Sequence, residues 1–169
     1  MFMAKIANEM KRLKSSVHFK EYIKKNPDNY LASCFQMGKS GLQDASWQFD
    51  FYSMKSGKMT SFQMGKSIAV QKDQEIFSKG TYPKKLKLGL VKVEFNDAMS
   101  RAGTLIKKKL PNESINKEIV ILQEMDDKAV WNITLLTSAF NIMNIRIDAN
   151  SGDVIQEKCE SILSFRISR

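Results

Sequence analysis

The 169-residue sequence predicts an α+β fold of two similar units, each a helix followed by an antiparallel β-meander. The first observation is a repeat: Trp47 and Trp131 lie 84 residues apart, and Pro27 and Pro111 share that offset. The second is that each proline follows a lysine run and precedes its tryptophan by 20 residues. The third is a change in both copies from helical spacing of apolar residues to alternation. The chain therefore contains two copies of one structural unit.

Each unit is predicted to begin with a helix. In the second unit apolar residues recur with helical spacing over 95–106, Asn96 is the predicted N-cap, and Pro111 follows the lysine-rich end. In the first unit two apolar stripes run out of phase, and the break between them falls at Ser15 and Ser16. We expect a kink or a second short helix at that point.

Strands are predicted after each helix. In chain order they span 31–38, 46–54, 59–70, 73–77, 116–125, 129–138, 140–148 and 153–158. Turn-forming pairs separate several of them, namely Ser56-Gly57, Asp126-Asp127 and Ser151-Gly152. Residues 78–87 are the predicted linker, and 86–93 are a candidate for an additional strand. The predicted domains are residues 1–80 and 84–169.

The end of the second unit resembles the closing hairpin of PepSY domains. The resemblance is carried by the residues Ile145-Arg146-Ile147-Asp148-Ala149-Asn150-Ser151-Gly152-Asp153-Val154-Ile155. PepSY modules pack a helix on a curved antiparallel sheet in a cystatin-like arrangement, and they occur as non-enzymatic modules in protease propeptides and envelope proteins. The resemblance implies two tandem PepSY-like, cystatin-like units that bind or regulate another protein, such as a protease. The first copy has Gly65-Lys66-Ser67 in place of the acidic turn, so its assignment depends on the internal symmetry.

Cysteine and histidine are too few for several kinds of chemistry. Cys34 and Cys159 are the only thiols and His18 is the only imidazole, so one chain cannot assemble a four-ligand Cys/His zinc site. Any serine or cysteine hydrolase mechanism would have to use His18, which lies in a lysine-rich helical segment. We therefore expect no enzyme, no metal and no cofactor. The two cysteines are expected to be reduced, with one disulfide between the halves as the alternative.

Two other patterns invite a functional interpretation. The string Phe-Gln-Met-Gly-Lys-Ser occurs at 35–40 and 62–67, but Ser33 and Thr60 stand where a phosphate-binding loop needs its first glycine. These segments are instead predicted to be strand ends with four side chains pointing into the core: Phe35, Met37, Phe62 and Met64. The acidic groups Glu124, Asp126, Asp127 and Asp148, Asn150, Asp153 lie at predicted turns, where solvated polar residues are expected.

Positive charge is concentrated in the first half of the chain. The net charge is +9; residues 1–85 contain 15 Lys+Arg against 7 Asp+Glu, and 86–169 contain 12 against 11. The candidate basic surface consists of Lys5, Lys11, Arg12, Lys14, Lys20, Lys24 and Lys25. Such a surface could bind nucleic acid or an anionic membrane surface, with Phe19 or Tyr22 stacking on bases.

The sequence thus leaves two functions open. The leading hypothesis is a protein-binding or regulatory module that recruits an unidentified partner through a sheet face or an edge strand. The alternative is a nucleic-acid or anionic-surface binder. No stretch approaches 18 apolar residues and no signal peptide is recognisable, so we expect no transmembrane segment and a cytoplasmic location, with export only after removal of a leader. The oligomeric state stays open.

Overall fold

The computed structural model describes residues 6–42, 45–76 and 80–166, except for the side chains of residues 165 and 166. This part of the chain forms an α+β fold of three α-helices and one antiparallel sheet of eight strands, so the predicted class is confirmed. The helices are α1 (Ile6–Ser15), α2 (Val17–Lys25) and α3 (Phe95–Lys109). None of these three helices is long and apolar enough to cross a membrane.

The strands of the sheet are β1 (Tyr30–Lys39), β2 (Gln48–Tyr52), β3 (Met59–Met64), β4 (Ile68–Gln74), β5 (Ile115–Met125), β6 (Lys128–Thr137), β7 (Asn141–Asp148) and β8 (Val154–Ser161). Their order across the sheet is β4-β3-β2-β1-β5-β6-β7-β8. In each half of the chain the helical segment comes first, and a four-stranded meander follows it. Antiparallel pairing of β1 with β5 joins the two meanders at the centre, so one sheet runs through both halves.

The predicted break in the first helix is confirmed at Ser16. This residue is the N-cap of α2: its hydroxyl accepts a hydrogen bond from the Phe19 N–H (3.2 Å) and donates to the Leu13 carbonyl (2.6 Å). A serine side chain that satisfies the backbone at a helix end favours starting a new helix over continuing the old one. The chain therefore forms two short helices here.

The predicted N-cap of α3, Asn96, is wrong by two residues, because Glu94 occupies that position. The backbone just before Glu94 is already fixed by the sheet: the Val93 N–H donates to the Ala149 carbonyl (2.8 Å), and the Trp131 indole N–H donates to the Val93 carbonyl (2.9 Å). These tertiary bonds set where the helix begins.

Two strand predictions also need correction. The predicted strand 59–70 is divided by a turn at residues 65–67, which separates β3 from β4. β4 ends at Gln74, and residue 77 of the predicted strand 73–77 lies outside the described residues. The candidate strand 86–93 contains a short 3-10 helix, Leu88–Leu90, instead.

The segment 86–93 cannot be a strand because its two ends are held by distant parts of the sheet. The Leu86 N–H donates to the Leu31 carbonyl on β1 (2.9 Å), and the Lys92 N–H donates to the Ala149 carbonyl beyond β7 (2.8 Å). A strand would have to pair along one neighbour. The segment crosses the end of the sheet instead, between the first meander and α3.

All three helices lie on one face of the sheet, and the core fills the space between them. Phe19 of α2 packs on Phe51 and Phe62 (ring centroids 5.1 and 5.6 Å), whereas α3 buries Ala98, Ala102 and Ile106. The two halves meet at an aromatic cluster of Trp47, Phe95 and Trp131. Burial of these large apolar side chains is the main favourable contribution to folding.

The two cysteines are far apart. Cys34 is fully buried on β1, and Cys159 is exposed on β8. Strands β5, β6 and β7 separate them, and neighbouring strands are about 4.8 Å apart. The separation exceeds the distance that a disulfide spans, so the alternative of a bond between the halves is wrong. Burial raises the pKa of the Cys34 thiol well above its ordinary value.

Candidate functional site

We call the sheet face opposite the helices the outer face. Cys34 on β1 pairs with core residues on its neighbours, Phe49 on β2 and Leu122 on β5, and therefore points toward the helices. Because side chains alternate along a strand, the residues before and after it point to the outer face. The three α-helices α1, α2 and α3 all pack on the core side of the sheet.

An apolar band crosses the centre of the outer face. Cross-strand pairing places Phe35 opposite Ile121 and Met37 opposite Ile119. It also places Leu136, which lies diagonally from Ile119, opposite Ile142. The apolar band is the name used here for these six residues, Phe35, Met37, Ile119, Ile121, Leu136 and Ile142. Met37 is 44% exposed and the other five are half-buried. A contiguous apolar patch on an uncovered sheet face is typical of an interaction surface.

The prediction that Phe35 and Met37 point into the core is therefore wrong, whereas Phe62 and Met64 are buried as predicted. Alternation along β1 predicts the strand correctly, but the face that meets the helices is the one that carries Cys34 and Gln36. Gln36, the polar residue between them, faces the helices, because its amide N–H donates to the Ala45 carbonyl (3.0 Å) in the loop that crosses that face.

A polar cluster flanks the apolar band on the side of β2 and β3. The buried carboxylate of Asp50 accepts hydrogen bonds from the side chains of Ser33 (2.7 Å), Gln48 (2.8 Å) and Ser61 (2.5 Å). These three donors satisfy the carboxylate and fix its orientation. The cluster gives this flank of the outer face a defined shape, and its role is structural.

Two lysines face one another beside the apolar band, in the same row of the sheet as Leu136 and Ile142. Lys39 on β1 pairs directly with Lys117 on β5, and both are exposed. Neither has a carboxylate within ion-pair distance among the described residues. Like charges directly opposite in a sheet are destabilising, so the pair is unfavourable in the isolated chain. A negatively charged group from another molecule would relieve that repulsion.

The closing hairpin that carries the PepSY resemblance is held by its own hydrogen bonds. The Asp148 carboxylate accepts from the N–H groups of Asn150 (2.8 Å) and Ser151 (3.2 Å) and pairs with Lys128 (3.2 Å). The pKa of Asp148 lies below its usual value, chiefly because the Asn150 N–H donates to the carboxylate. Desolvation opposes this effect, and the Ser151 N–H and Lys128 lower the pKa further. The hydrogen bonds and the ion pair of the Asp148 carboxylate stabilise the hairpin. This agrees with the interpretation of these polar residues as a turn.

The other acidic group is also a turn. Asp126 and Asp127 form a two-residue hairpin with positive φ at both positions (50° and 63°), and the Asp127 N–H donates to the Glu124 carboxylate (2.7 Å). Positive φ at both central residues is the geometry of a type I′ turn. Among the described residues, no group of three or more His, Cys, Asp or Glu is placed to hold a metal ion.

The Gly-Lys-Ser segments do not form a phosphate loop. β1 continues through Lys39 without opening a helix, and Gly65-Lys66-Ser67 forms the turn between β3 and β4. A phosphate loop needs backbone N–H groups that converge ahead of a helix N-terminus. Neither segment has that arrangement.

The described members of the candidate basic surface lie on α1 and α2. Lys5 lies outside the described residues, and the other six members are exposed, namely Lys11, Arg12, Lys14, Lys20, Lys24 and Lys25. Arg12 is engaged within the chain: it pairs with Glu9 (3.0 Å) and donates to the carbonyls of Gly65 (2.6 Å) and Lys66 (3.2 Å), which ties α1 to the β3–β4 turn. The structure therefore assigns Arg12 a structural role.

Base stacking by Phe19 or Tyr22 is excluded, because both rings are buried against Phe51 and Phe62. The spacing of Phe19 and Tyr22 along the helix is compatible with an exposed position or with a core position. Packing against the sheet places both rings in the core. Burial also raises the pKa of the Tyr22 hydroxyl, against the effect of hydrogen bonds with Asn29 and Thr60.

A basic groove lies between α2 and the edge of the first meander. It has a volume of about 450 Å³. Four lysines and one histidine line it, namely Lys25, Lys55, Lys58, Lys72 and His18, and Glu21 and Asp73 are its acidic residues. Lys25 comes from the candidate basic surface, whereas Lys55, Lys58 and Lys72 are brought in by the sheet. The sequence did not indicate this grouping, because β2, β3 and β4 are separated from α2 along the chain.

A buried carboxylate on the helix side also escaped sequence analysis. Glu118 of β5 is 5% exposed and accepts a hydrogen bond from the Gly41 N–H (3.1 Å). Burial raises its pKa above the ordinary value of 4.5, and the Gly41 bond opposes this only in part. The folded protein therefore binds a proton on Glu118 at a higher pH than the unfolded chain does.

We expect Glu118 to make stability fall as pH rises above about 4.5, because the folded state holds more protons than the unfolded state in that range. Glu118→Gln should remove this dependence, raising the free energy of unfolding at neutral pH by on the order of 1 kcal/mol and leaving it unchanged at low pH. Urea denaturation at several pH values measures this. The exposed Glu21→Gln is the control, and an equal loss of stability at every pH would contradict the assignment.

Comparison with known proteins identifies a structure of similar fold but no family. No family model matches the sequence, and no curated protein matches it. The structure is similar to a crystal structure from Clostridium difficile 630, of a protein described as a "putative lipoprotein". The TM-score is 0.56 and the identity 14%, over 85% of this chain and 90% of that chain. At this identity the similarity establishes a common fold.

Proposed function

We propose that this chain is a non-enzymatic protein-binding module in which two PepSY-like, cystatin-like units share one sheet. The helix-then-meander order in both halves and the hairpin at Asp148 to Gly152 support this assignment. A protease or another enzyme that the chain inhibits or regulates is the class of partner that the resemblance suggests. The cytoplasmic location stays a prediction from the sequence.

The outer face is the observation that carries the proposal. Its apolar band is left uncovered by the helices, and next to the band Lys39 and Lys117 repel one another. The partner we propose has an apolar surface that covers the band and carboxylates that reach the two lysines. Covering the band removes apolar area from water, and the carboxylates neutralise an unfavourable pair.

A second candidate function rests on the basic groove. Four lysines and His18 line it, and they suit a phosphate-bearing polymer or another anionic ligand. Because Glu21 and Asp73 lie in the same groove, the local excess of positive charge is moderate. This candidate ranks behind the outer face.

The test is capture of partners from native lysate by the full chain, with nuclease and at two salt concentrations. Met37→Lys and Ile119→Lys place a charge in the apolar band and should each weaken capture of a discrete protein at least about tenfold. Val17→Lys is the matched control, because Val17 is 66% exposed on the helix side of the molecule. It should retain the partner.

Two outcomes would contradict the outer-face proposal. In one, the partner binds both apolar-band variants as tightly as it binds the unmodified chain. In the other, only nucleic acid is retained, it is lost steeply as salt rises, and Lys25→Glu with Lys72→Glu abolishes it. The second outcome would establish the basic groove as the functional site.

A further inference from the structure

We propose that the chain forms a symmetric dimer by antiparallel pairing of β8 with β8 of a second copy. β8 is the last strand of the sheet, and in the part of the chain that the structure describes no element pairs with its outer edge. An open edge of this kind presents a row of unpaired backbone groups that can pair with another strand.

The direction of the backbone groups on β8 follows from one hydrogen bond. The Ile162 N–H donates to the Phe140 carbonyl (2.9 Å), in register with the pairing of Ser161 with Asn141. Backbone groups alternate in direction along an antiparallel strand. The N–H and C=O groups of Glu157, Cys159 and Ser161 therefore point to the open edge.

Charge selects one register for the pairing. Lys158 and Glu160 lie on the outer face and contact each other within the strand (2.7 Å), with side chains 59% and 44% exposed. If Cys159 pairs with Cys159 of the second copy, each Lys158 lies opposite a Glu160, and two cross-strand ion pairs form. The neighbouring registers place Lys158 opposite Lys158 or Glu160 opposite Glu160, and like charges directly opposite are destabilising.

Exposed apolar residues lie at both ends of the paired segment. Ile155 is 50% exposed, and Ile162 and Leu163 are 37% and 56% exposed. Ile162 and Leu163 begin the short 3-10 helix Ile162–Arg166 that follows β8. In the selected register Ile155 of one copy comes near the start of this helix in the other, at each end of the interface. Covering these side chains adds apolar burial to the backbone hydrogen bonds.

The opposite edge of the sheet is less suited to pairing. In β4, Asp73 has a positive φ of 53°, and the register with β3 shifts between Met59 and Ser61. Irregularities of this kind twist an edge away from a partner strand. β8 keeps an unbroken register with β7 from Gln156 to Ser161.

Sedimentation equilibrium of the full chain tests the proposal, with a species of twice 19.3 kDa expected. Lys158→Glu and Glu160→Lys each place like charges opposite one another twice, so each should raise the dissociation constant about tenfold. The double variant K158E/E160K restores opposite charges and should return to within about threefold of the unmodified chain. Lys66→Glu, an exposed position in the turn between β3 and β4, is the matched control and should have no effect.

Crosslinking gives a second readout of the register. A short thiol-specific bifunctional reagent should join two copies through Cys159, whereas Cys34 is buried and should not react. Cys159→Ser should abolish the product. A chain that is monomeric throughout the concentration series, a double variant that fails to recover, or a dimer lost through Ile119→Lys but not through Lys158→Glu would overturn the proposal.

Discussion

Replacing Trp131 with alanine is expected to lower the free energy of unfolding by about 3 to 5 kcal/mol. The side chain is 1% exposed, and its ring lies 6.4 Å from that of Trp47 and 5.9 Å from that of Phe95. Its indole N–H also donates to the Val93 carbonyl, where the linker leads into α3. The substitution removes packing between the halves and leaves the half-buried Val93 carbonyl without its donor, so the cost of the cavity and the loss of the hydrogen bond add together.

Urea denaturation followed by far-UV circular dichroism measures this effect. Trp131→Phe keeps an aromatic ring but loses the hydrogen bond, and should give a smaller loss. Tyr82→Ala is the control, because Tyr82 is 54% exposed and its removal should change stability by less than about 0.5 kcal/mol. A loss below about 1 kcal/mol for Trp131→Ala would contradict the role assigned to the aromatic cluster.

The second large effect is expected from Gly152→Ala, which should lower the free energy of unfolding by about 2 to 3 kcal/mol. Gly152 has a φ of +83°, and a Cβ there would lie 3.0 Å from the guanidinium carbon of Arg101. Arg101 donates to the Gly152 carbonyl (2.9 Å) and so ties α3 to the closing hairpin. The alanine therefore strains the turn and displaces the arginine that holds it.

Gly103→Ala is the matched control, and its effect should have the opposite sign. Gly103 lies within α3, and a Cβ there would have no atom within 4 Å. Alanine is favoured over glycine in a helix by about 0.5 to 1 kcal/mol. Thermal unfolding of both variants checks the pair, and equal shifts of the same sign would show that the turn geometry does not matter.

The sequence predicted local structure well where one pattern dominates. The break at Ser16, the helix ending before Pro111 and the turn at Asp126-Asp127 all follow from side chains that act on their own backbone, so no knowledge of the rest of the fold was required. The start of α3 was placed two residues late, because bonds from Trp131 and Ala149 fix the chain before Glu94.

The candidate sites were predicted less well. Alternation along β1 indicates a strand but leaves open which side faces the helices, and a shift of one residue exchanges the two faces. The sequence therefore predicts Phe35 and Met37 to lie in the core, whereas in the structure they belong to the apolar band. The basic groove was missed for a related reason, because Lys55, Lys58 and Lys72 join Lys25 only through strand pairing.

By itself the sequence determined the α+β class, the order of helices and strands in each half, and the shortage of thiol and imidazole groups. These follow from short-range periodicity, turn preferences and composition. Only the tertiary structure decided that β1 and β5 join the halves in one sheet, that the helices cover one face and leave the apolar band bare, and that β8 ends the sheet with an open edge. Those features depend on register and long-range pairing, and the free energy that selects them comes from contacts between residues far apart along the chain.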